Sequence, residues 1–204
     1  MEPFVRITAT ACPLGLANVD TDQLIPARFM SRPRSAGYGS FLLHDLRFAP
    51  DGTPVPGFVL DDPRWSGARI LVARRNFGTG SSREAAVYAL ADYGIRAVVA
   101  PSFGDIFASN AVKNGLLPAV VTEAEAEALI AALEADPDGD VTVDLEALTI
   151  ARGPLRLGFA IDPARRLQLL NGWDDIDLTL RHAPEIADFA RRRRNAEPWV
   201  DPRH

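Results

Sequence analysis

Residues 78–84 carry the side chains of this sequence that are best suited to chemistry. In order they are Gly78, Thr79, Gly80, Ser81, Ser82, Arg83 and Glu84. A hydroxyl group serves as a base or nucleophile when its surroundings lower its pKa. An arginine binds a carboxylate or phosphate through two parallel hydrogen bonds. The segment therefore predicts an anion-binding site that includes a candidate base or nucleophile.

The elements on either side of this segment predict how it is held. A β-type apolar run, residues 68–73, precedes it, and a helical pattern from Ala85 to Tyr93 follows it and stops at Gly94. A strand, a glycine-rich turn and a helix start bring free backbone N–H groups and the positive end of the helix dipole to one place. This arrangement favours an anionic ligand.

A second interpretation of the same residues needs no ligand. Ser81 and Glu84 have the spacing of a capping box, in which Ser81 accepts a hydrogen bond at the helix N-terminus and Glu84 reaches back. The glycines favour the first interpretation, because Gly78 and Gly80 would let a ligand approach the backbone closely. A phosphate-loop motif is excluded, since no lysine follows the second glycine at the required place.

Composition limits the classes of function. A chain of 204 residues with 47% hydrophobic and 24% charged residues is typical of a single globular domain. The net charge of −5 offers no general attraction for nucleic acid or an anionic membrane. With no long apolar run and no signal-peptide pattern, the sequence predicts a cytoplasmic protein. One cysteine, Cys12, and three scattered histidines predict no metal site on this chain.

The remaining pattern predicts a mixed α/β fold, with a βαβαβ centre and β-rich flanks, in one domain spanning 1–204. The predicted strands are 4–12, 68–73, 97–100, 116–121, 141–145, 148–151 and 155–159. The predicted helices are 85–93, one opening near Ser102, 123–135 and one from Pro184, within a helical tail at 173–204. Residues 28–57 predict a long excursion over the surface with a short helical piece, and loops of this length are usually functional.

Taken together, these segments resemble the small subunits of 3-isopropylmalate dehydratase, in the aconitase superfamily. The matching segments are NVDTD (18–22) with Ile25-Pro26, residues 41–48, NFGTGSSRE (76–84), PSFGDIF (101–107), NGLLP (114–118), and Asn171-Gly172 with residues 178–180. They occur in the order of the family and cover nearly the whole chain. The resemblance implies the swivelling β/β/α domain that is the mobile fourth domain of aconitases.

The resemblance also implies a partner and a cofactor. In this family a separate large subunit holds a 4Fe–4S cluster through three cysteines and leaves one iron open to substrate. This chain would bind no cofactor itself, which agrees with its single cysteine. The implied reaction is dehydration of 2-isopropylmalate and rehydration at the neighbouring carbon, which gives 3-isopropylmalate in leucine biosynthesis.

The resemblance assigns roles to individual residues. Ser81 is implied to be the base, in an alkoxide-like form stabilised by the helix N-terminus and by Arg83, which would also bind a substrate carboxylate. Further residues implied to bind substrate or to orient the turn are Thr79, Gly80, Ser82, Asp20, Thr21, Asp22, Arg32 and Arg34. Arg32 and Arg34 lie in the excursion, for which a solvated arginine-rich loop is an equal alternative.

The sequence departs from the family pattern at two positions of this motif. Thr79 stands where the family carries cysteine, and Ala85 stands where it carries histidine. Thr79 leaves the chemistry intact, whereas Ala85 cannot hold a proton or an orienting hydrogen bond. Two alternatives to the main function therefore stay open. One is a small subunit acting on another dicarboxylate, of the citraconate or dimethylmaleate type, and the other is a non-catalytic module that binds an anion or a protein.

Overall fold

The computed structural model of the protein describes residues 1–197 and 199. Its strands are β1 (Arg6–Ala9), β2 (Ala11–Pro13), β3 (Ile70–Val72), β4 (Ala97–Ala100), β5 (Leu117–Val120), β6 (Val141–Asp144), β7 (Thr149–Arg152) and β8 (Leu155–Gly158). Its helices are α1 (Thr21–Leu24), α2 (His44–Arg47), α3 (Glu84–Tyr93), α4 (Asp105–Lys113), α5 (Glu123–Ala135), α6 (Pro163–Asn171), α7 (Asp175–Leu180) and α8 (Ala183–Ala196). The predicted mixed α/β fold is confirmed.

The strands form two sheets of different kinds. One is parallel with the order β2-β3-β4-β5, and the other is antiparallel with the order β1-β6-β7-β8. Every residue of β3 and β4 is fully buried, as expected for a parallel sheet covered on both faces. Helix α5 packs against β2, β3 and β4, while α3 and α4 pack against each other. The predicted βαβαβ centre is the segment β3-α3-β4-α4-β5.

The prediction of a single strand over residues 4–12 is wrong. The chain leaves one sheet and enters the other at Thr10, so that Arg6 pairs with Asp144 in the antiparallel sheet and Ala11 pairs with Ile70 in the parallel one. The physical reason lies in burial: β1 alternates between exposed and covered residues, whereas all three residues of β2 are buried. Exposed and buried residues alternate along an antiparallel strand that has one face in solvent. They do not alternate along a parallel strand that is covered on both faces.

Helix boundaries agree well with the sequence where capping signals are strong. Helix α5 occupies the predicted 123–135 and begins with a capping box between Thr122 and Glu125. Helix α3 ends as predicted at Gly94, which has φ 113. Helix α6 is absent from the sequence prediction, although Asp162 followed by Pro163 is a recognisable start signal, and the Asp162 side chain accepts two backbone N–H groups there.

The excursion over residues 28–57 is packed against the body of the protein. Gly39 lies so close to α3 that an added Cβ atom would be 2.6 Å from the backbone nitrogen of Tyr93. The aromatic side chains of the excursion pack on one another: the rings of Phe29 and Phe41 are stacked at 4.3 Å, and the ring of His44 is tilted against that of Phe29 at 4.7 Å. The excursion is therefore an ordered layer on α3. Helix α3 in turn follows directly after the predicted anion-binding segment.

Candidate active site at the ends of the parallel strands

The segments that follow β2, β3 and β4 are joined by a network of polar side chains. The amide of Asn76 donates to the side-chain oxygen of Asn18 (2.7 Å), and the hydroxyl of Ser102 donates to the side-chain oxygen of Asn76 (3.1 Å). Asn18 and Asn76 both have positive φ, at 57 and 61. Ligands of open α/β sheets bind beside the carboxyl ends of the strands. Asn18, Asn76 and Ser102 lie in the matching segments of the sequence, but no functional role was predicted for them. Asparagine or serine within five residues after a buried strand is the signal that could have found them.

The turn that follows β3 needs its two glycines for different reasons. Gly78 has φ 72, and a Cβ atom there would overlap the ring of Phe107. Gly80 has φ 94 and lies against Thr21, whose hydroxyl would be 3.4 Å from an added Cβ. The turn is anchored from within by Phe77, which is fully buried and packs edge-on against the ring of Phe107 at 5.4 Å. Its shape is therefore fixed by backbone conformation and packing in the isolated chain.

Helix α1 holds the turn from the opposite side. The backbone N–H of Thr21 donates to the carbonyl of Thr79 (2.9 Å), and its hydroxyl donates to the carbonyl of Ser81 (3.0 Å). Thr21 is 2% exposed, so both bonds are protected from water. The side chain of Asp20 is occupied in a capping box with Gln23 at the start of α1. Thr21 thus contacts the turn directly, while Asp20 fixes the helix that carries it.

The hydroxyls of Ser81 and Ser82 are exposed and make no hydrogen bond among the described residues, whereas that of Thr79 donates to the carbonyl of Asn76 (3.2 Å). Gly80, Ser81 and Ser82 are exposed, and within residues 1–197 and 199 their backbone N–H groups donate no hydrogen bond. The capping interpretation is wrong, because α3 begins at Glu84 with Arg83 as its N-cap and without a side-chain cap. The carboxylate of Glu84 instead accepts a hydrogen bond from Asn114 (3.0 Å). Ser81 is free for a ligand or a proton.

Arg83 is held beside the turn by one acidic partner. Its Nη1 donates to Oδ1 of Asp22 in an ion pair, and its side chain is only 19% exposed. Among the described residues no acceptor engages its Nε or Nη2. The guanidinium therefore keeps one edge available for a carboxylate while Asp22 fixes its position.

Neither Arg32 nor Arg34 makes a hydrogen bond or an ion pair with the turn in the described part of the chain. Arg34 lies along α3, with its Nη2 2.9 Å from Oδ1 of Asp92 and its guanidinium 4.0 Å above the ring of Tyr88. The hydrogen bond to Asp92 is the main cause that raises the pKa of Arg34. Arg32 is exposed and has no ion pair in the described part of the chain, and its carbonyl accepts the hydroxyl of Tyr38 at 2.7 Å. Arg34 is anchored to the helix, and Arg32 is the freer cation.

No metal ligands gather at this site. Among residues 1–197 and 199, no group of His, Cys, Asp or Glu side chains is arranged to hold a metal ion. Cys12 is fully buried in the parallel sheet, and burial raises the pKa of its thiol to about 12. A thiol in this state is a poor ligand and a poor nucleophile. Ala85, at the position where the resemblance implies a histidine, packs against the hydrophobic core.

Removal of the Thr21 hydroxyl is expected to loosen the turn. Thr21→Val keeps the shape of the side chain but leaves the carbonyl of Ser81 without this donor, and the lost bond should cost about 0.5–1.5 kcal/mol of stability. Urea denaturation measures the cost, and amide hydrogen exchange of residues 79–82 should become faster. Thr21→Ser retains the hydroxyl and is the control. Unchanged exchange in Thr21→Val would show that this bond does not hold the turn.

The comparisons with known proteins give first the class of the fold. Residues 1–124 match the family model described as the aconitase C-terminal domain. Residues 175–203 match the model described as the C-terminal domain of the 3-isopropylmalate dehydratase small subunit. The fold is therefore the swivelling domain of the aconitase class. Within the described residues, no helix combines the length and the apolar character needed to cross a membrane.

Full-length relatives then give the particular family. The 3-isopropylmalate dehydratase small subunit of Rhodospirillum centenum is 48% identical over 201 residues, which cover 98% of this chain and 99% of the relative. That of Dechloromonas aromatica is 44% identical over 210 residues, with the same two coverages of 98% and 99%. A crystal structure of 3-isopropylmalate dehydratase from Methanocaldococcus jannaschii matches 90% of this chain and 99% of its own, with 25% identity and a TM-score of 0.63. The chain belongs to the family of 3-isopropylmalate dehydratase small subunits.

Proposed function

We propose that the chain is the small subunit of a heteromeric iron–sulfur hydro-lyase that isomerises 2-isopropylmalate to 3-isopropylmalate. The step belongs to leucine biosynthesis, and we place it in the cytoplasm. Relatives that match the chain along nearly its whole length carry the name of this small subunit. The structural observation that supports the proposal most is the turn 80–83, which offers the free backbone N–H groups of residues 80–82, two exposed hydroxyls and a guanidinium.

The turn is proposed to bind a carboxylate of the substrate. Three unengaged N–H groups, from Gly80, Ser81 and Ser82, together with the free edge of Arg83, make a strong site for an anion. Asp22 would hold the guanidinium in place without blocking that edge. Arg32, the freer arginine of the excursion, is the better candidate for the distant carboxylate of the substrate, and Arg34 would position the excursion on α3.

Ser81 is proposed to move the proton. Dehydration removes a proton from the carbon beside a carboxylate and hydroxide from the neighbouring carbon, and rehydration returns both with their positions exchanged. An alkoxide at Ser81 would accept the proton and later deliver it to the other carbon. The N–H groups of the turn and the charge of Arg83 lower the free energy of that alkoxide. Lewis-acid assistance to the loss of the hydroxyl is the chemistry that the 4Fe–4S cluster supplies when it is bound.

A large subunit that holds the cluster is proposed to complete the site. Ser81 and Ser82 lie on an open surface, whereas an elimination of this kind needs a site closed to water. The buried thiol of Cys12 offers no ligand there. One partner would therefore supply both the surface that closes the site and the cluster. Ala85 would leave proton transfer to Ser81 without a neighbouring imidazole.

Reconstitution tests this proposal. The purified chain alone is expected to be folded, colourless and inactive, and addition of the cognate large subunit under anaerobic conditions should give turnover of 2-isopropylmalate. Among branched malates and related dicarboxylates, 2-isopropylmalate should have the highest kcat/KM. Iron–sulfur absorbance or turnover in the single chain would contradict the proposed division of roles. A preference for citraconate or dimethylmaleate would contradict the proposed substrate, and an inactive complex would favour a non-catalytic module.

A further inference from the structure

The last two helices expose apolar side chains that the rest of the protein does not cover. Neither α7 nor α8 has a buried residue. Five of the eleven exposed large hydrophobic residues among those described lie between positions 176 and 199. They are Ile176 (68% exposed), Leu180 (60%), Ile186 (47%), Phe189 (56%) and Trp199 (75%). Scattered exposed apolar residues are normal, but a concentration of this kind in one segment marks an interaction surface.

The exposed residues share faces of their helices. Ile176 and Leu180 are four residues apart in α7, and Ile186 and Phe189 are three apart in α8, so that each pair lies side by side. The polar residues of α8 pair within the helix itself, since Asp188 binds both Arg191 and Arg192. We call the four apolar side chains Ile176, Leu180, Ile186 and Phe189 the tail face.

The base of the tail face is fixed to the body of the protein. Asp175, the first residue of α7, accepts from Lys113 (2.8 Å) and from Gln168 (2.9 Å), and Gln168 is itself buried. The guanidinium of Arg181, directly after α7, lies 5.4 Å from the ring centre of Trp173. The start of α7 is thus held at a defined place on the body of the protein.

That place adjoins the candidate active site. Lys113 ends α4, and the next residue, Asn114, donates to the carboxylate of Glu84. Glu84 follows Arg83 and begins α3. Lys113 and Asn114, which are adjacent in the chain, therefore connect the start of α7 to the residue that follows Arg83.

We propose that the tail face docks on the large subunit and is the main anchor of the small subunit in the complex. The proposal rests on the proposed function, which requires a partner over the turn. The family models support this occupant: the match to the aconitase C-terminal domain ends at residue 124, whereas residues 175–203 match a model described as the C-terminal domain of the 3-isopropylmalate dehydratase small subunit. In a protein made of two chains, an exposed apolar segment of the small subunit could hold it to the large subunit, as a covalent linker would do in a single chain.

The test uses the full chain with two substitutions in the tail face. Leu180→Glu and Phe189→Glu together place charge on side chains that are more than half exposed, so that the fold of the subunit should be unaffected. Affinity for the cognate large subunit, measured by titration calorimetry or analytical ultracentrifugation, is expected to fall by about 100-fold, since each lost anchor residue costs about tenfold. Val5→Glu, an exposed apolar position outside the tail (42% exposed), is the control and should bind as the wild type does.

Four results bear on the proposal in different ways. At saturating large subunit the double variant should recover the turnover of the wild type, because no residue of the catalytic turn is altered. Wild-type affinity in the double variant would overturn the docking proposal while leaving the proposed function intact. Failure of the wild type itself to bind or to activate the large subunit would instead refute the proposed function. Self-association of the wild type that the double variant loses would assign the tail face to a second copy of this chain and would overturn the proposal.

Discussion

Ser81→Ala is expected to lower the turnover of the reconstituted enzyme by at least about 100-fold, the loss typical of a positioned proton-transfer group. The stability of the isolated subunit should change by less than about 0.5 kcal/mol, as for other exposed substitutions. Ser81 is exposed, its backbone N–H donates no hydrogen bond among the described residues, and it does not cap α3. Turnover at saturating large subunit and a thermal melt of the small subunit give the two measurements.

Two further variants separate catalysis from local structure at this position. Ser82→Ala removes a neighbouring exposed hydroxyl and should cost about fivefold, the value of one neutral hydrogen bond. Ser81→Asp should be stable and inactive, because a carboxylate there repels a dicarboxylate substrate. A fully active Ser81→Asp enzyme would remove Ser81 from the proposed mechanism. Equal losses in Ser81→Ala and Ser82→Ala would mean that the two hydroxyls share one binding role.

Arg83→Lys is expected to reduce kcat/KM by about 10- to 150-fold, which corresponds to about 1.5–3 kcal/mol for a charge-assisted hydrogen-bonded pair. Lysine keeps the positive charge but cannot span Asp22 and a substrate carboxylate with one planar group. Steady-state kinetics of the reconstituted enzyme measure the loss, and circular dichroism should show an unchanged fold.

The partner of this arginine supplies a matched comparison. Asp22→Asn keeps a hydrogen-bond acceptor for Nη1 of Arg83 and removes only the negative charge. A smaller loss than in Arg83→Lys is expected, because the guanidinium remains and only its fixation weakens. Unchanged kinetics in Arg83→Lys would show that this residue forms a structural pair with Asp22 and does not bind substrate.

The sequence predicted the local elements of this site well and its long-range contacts poorly. The strand, the glycine turn and the helix ending at Gly94 follow from residues that are adjacent in the chain. The bonds from Thr21 to the turn and from Asp22 to Arg83 join residues about sixty positions apart, 60 and 61 respectively, and no local pattern encodes them. The family resemblance placed residues 20–22 beside the turn, but only the structure shows that Thr21 reaches the carbonyl of Ser81.

Two other differences between the predicted and the observed structure also arise from contacts between residues that are distant in the sequence. The change of sheet at Thr10 depends on which strands are available as neighbours, which residues 4–12 alone cannot show. The anchoring of Arg34 by Asp92 depends on how the excursion packs on α3. An arginine in a glycine-rich loop looks free in the sequence, and the structure shows it paired. Partners distant in sequence decide whether such a charge is available to a ligand.

The placement of α1 has a consequence for how substrate range could change in this family. The turn that carries Ser81 is held by Thr21, and the excursion begins only after Leu24 and Ile25, which are fully buried. The far end of the excursion is likewise closed by the buried ring of Trp65 before β3 starts. An exchange of residues 28–57 between relatives would therefore leave the proposed proton-transfer group in place, provided that the buried side chains of Tyr38, Leu42 and Leu43 were kept. Substitution of its exposed residues alone, with no change to its buried side chains or to the turn, would be a way to alter the proposed dicarboxylate specificity at little cost in stability.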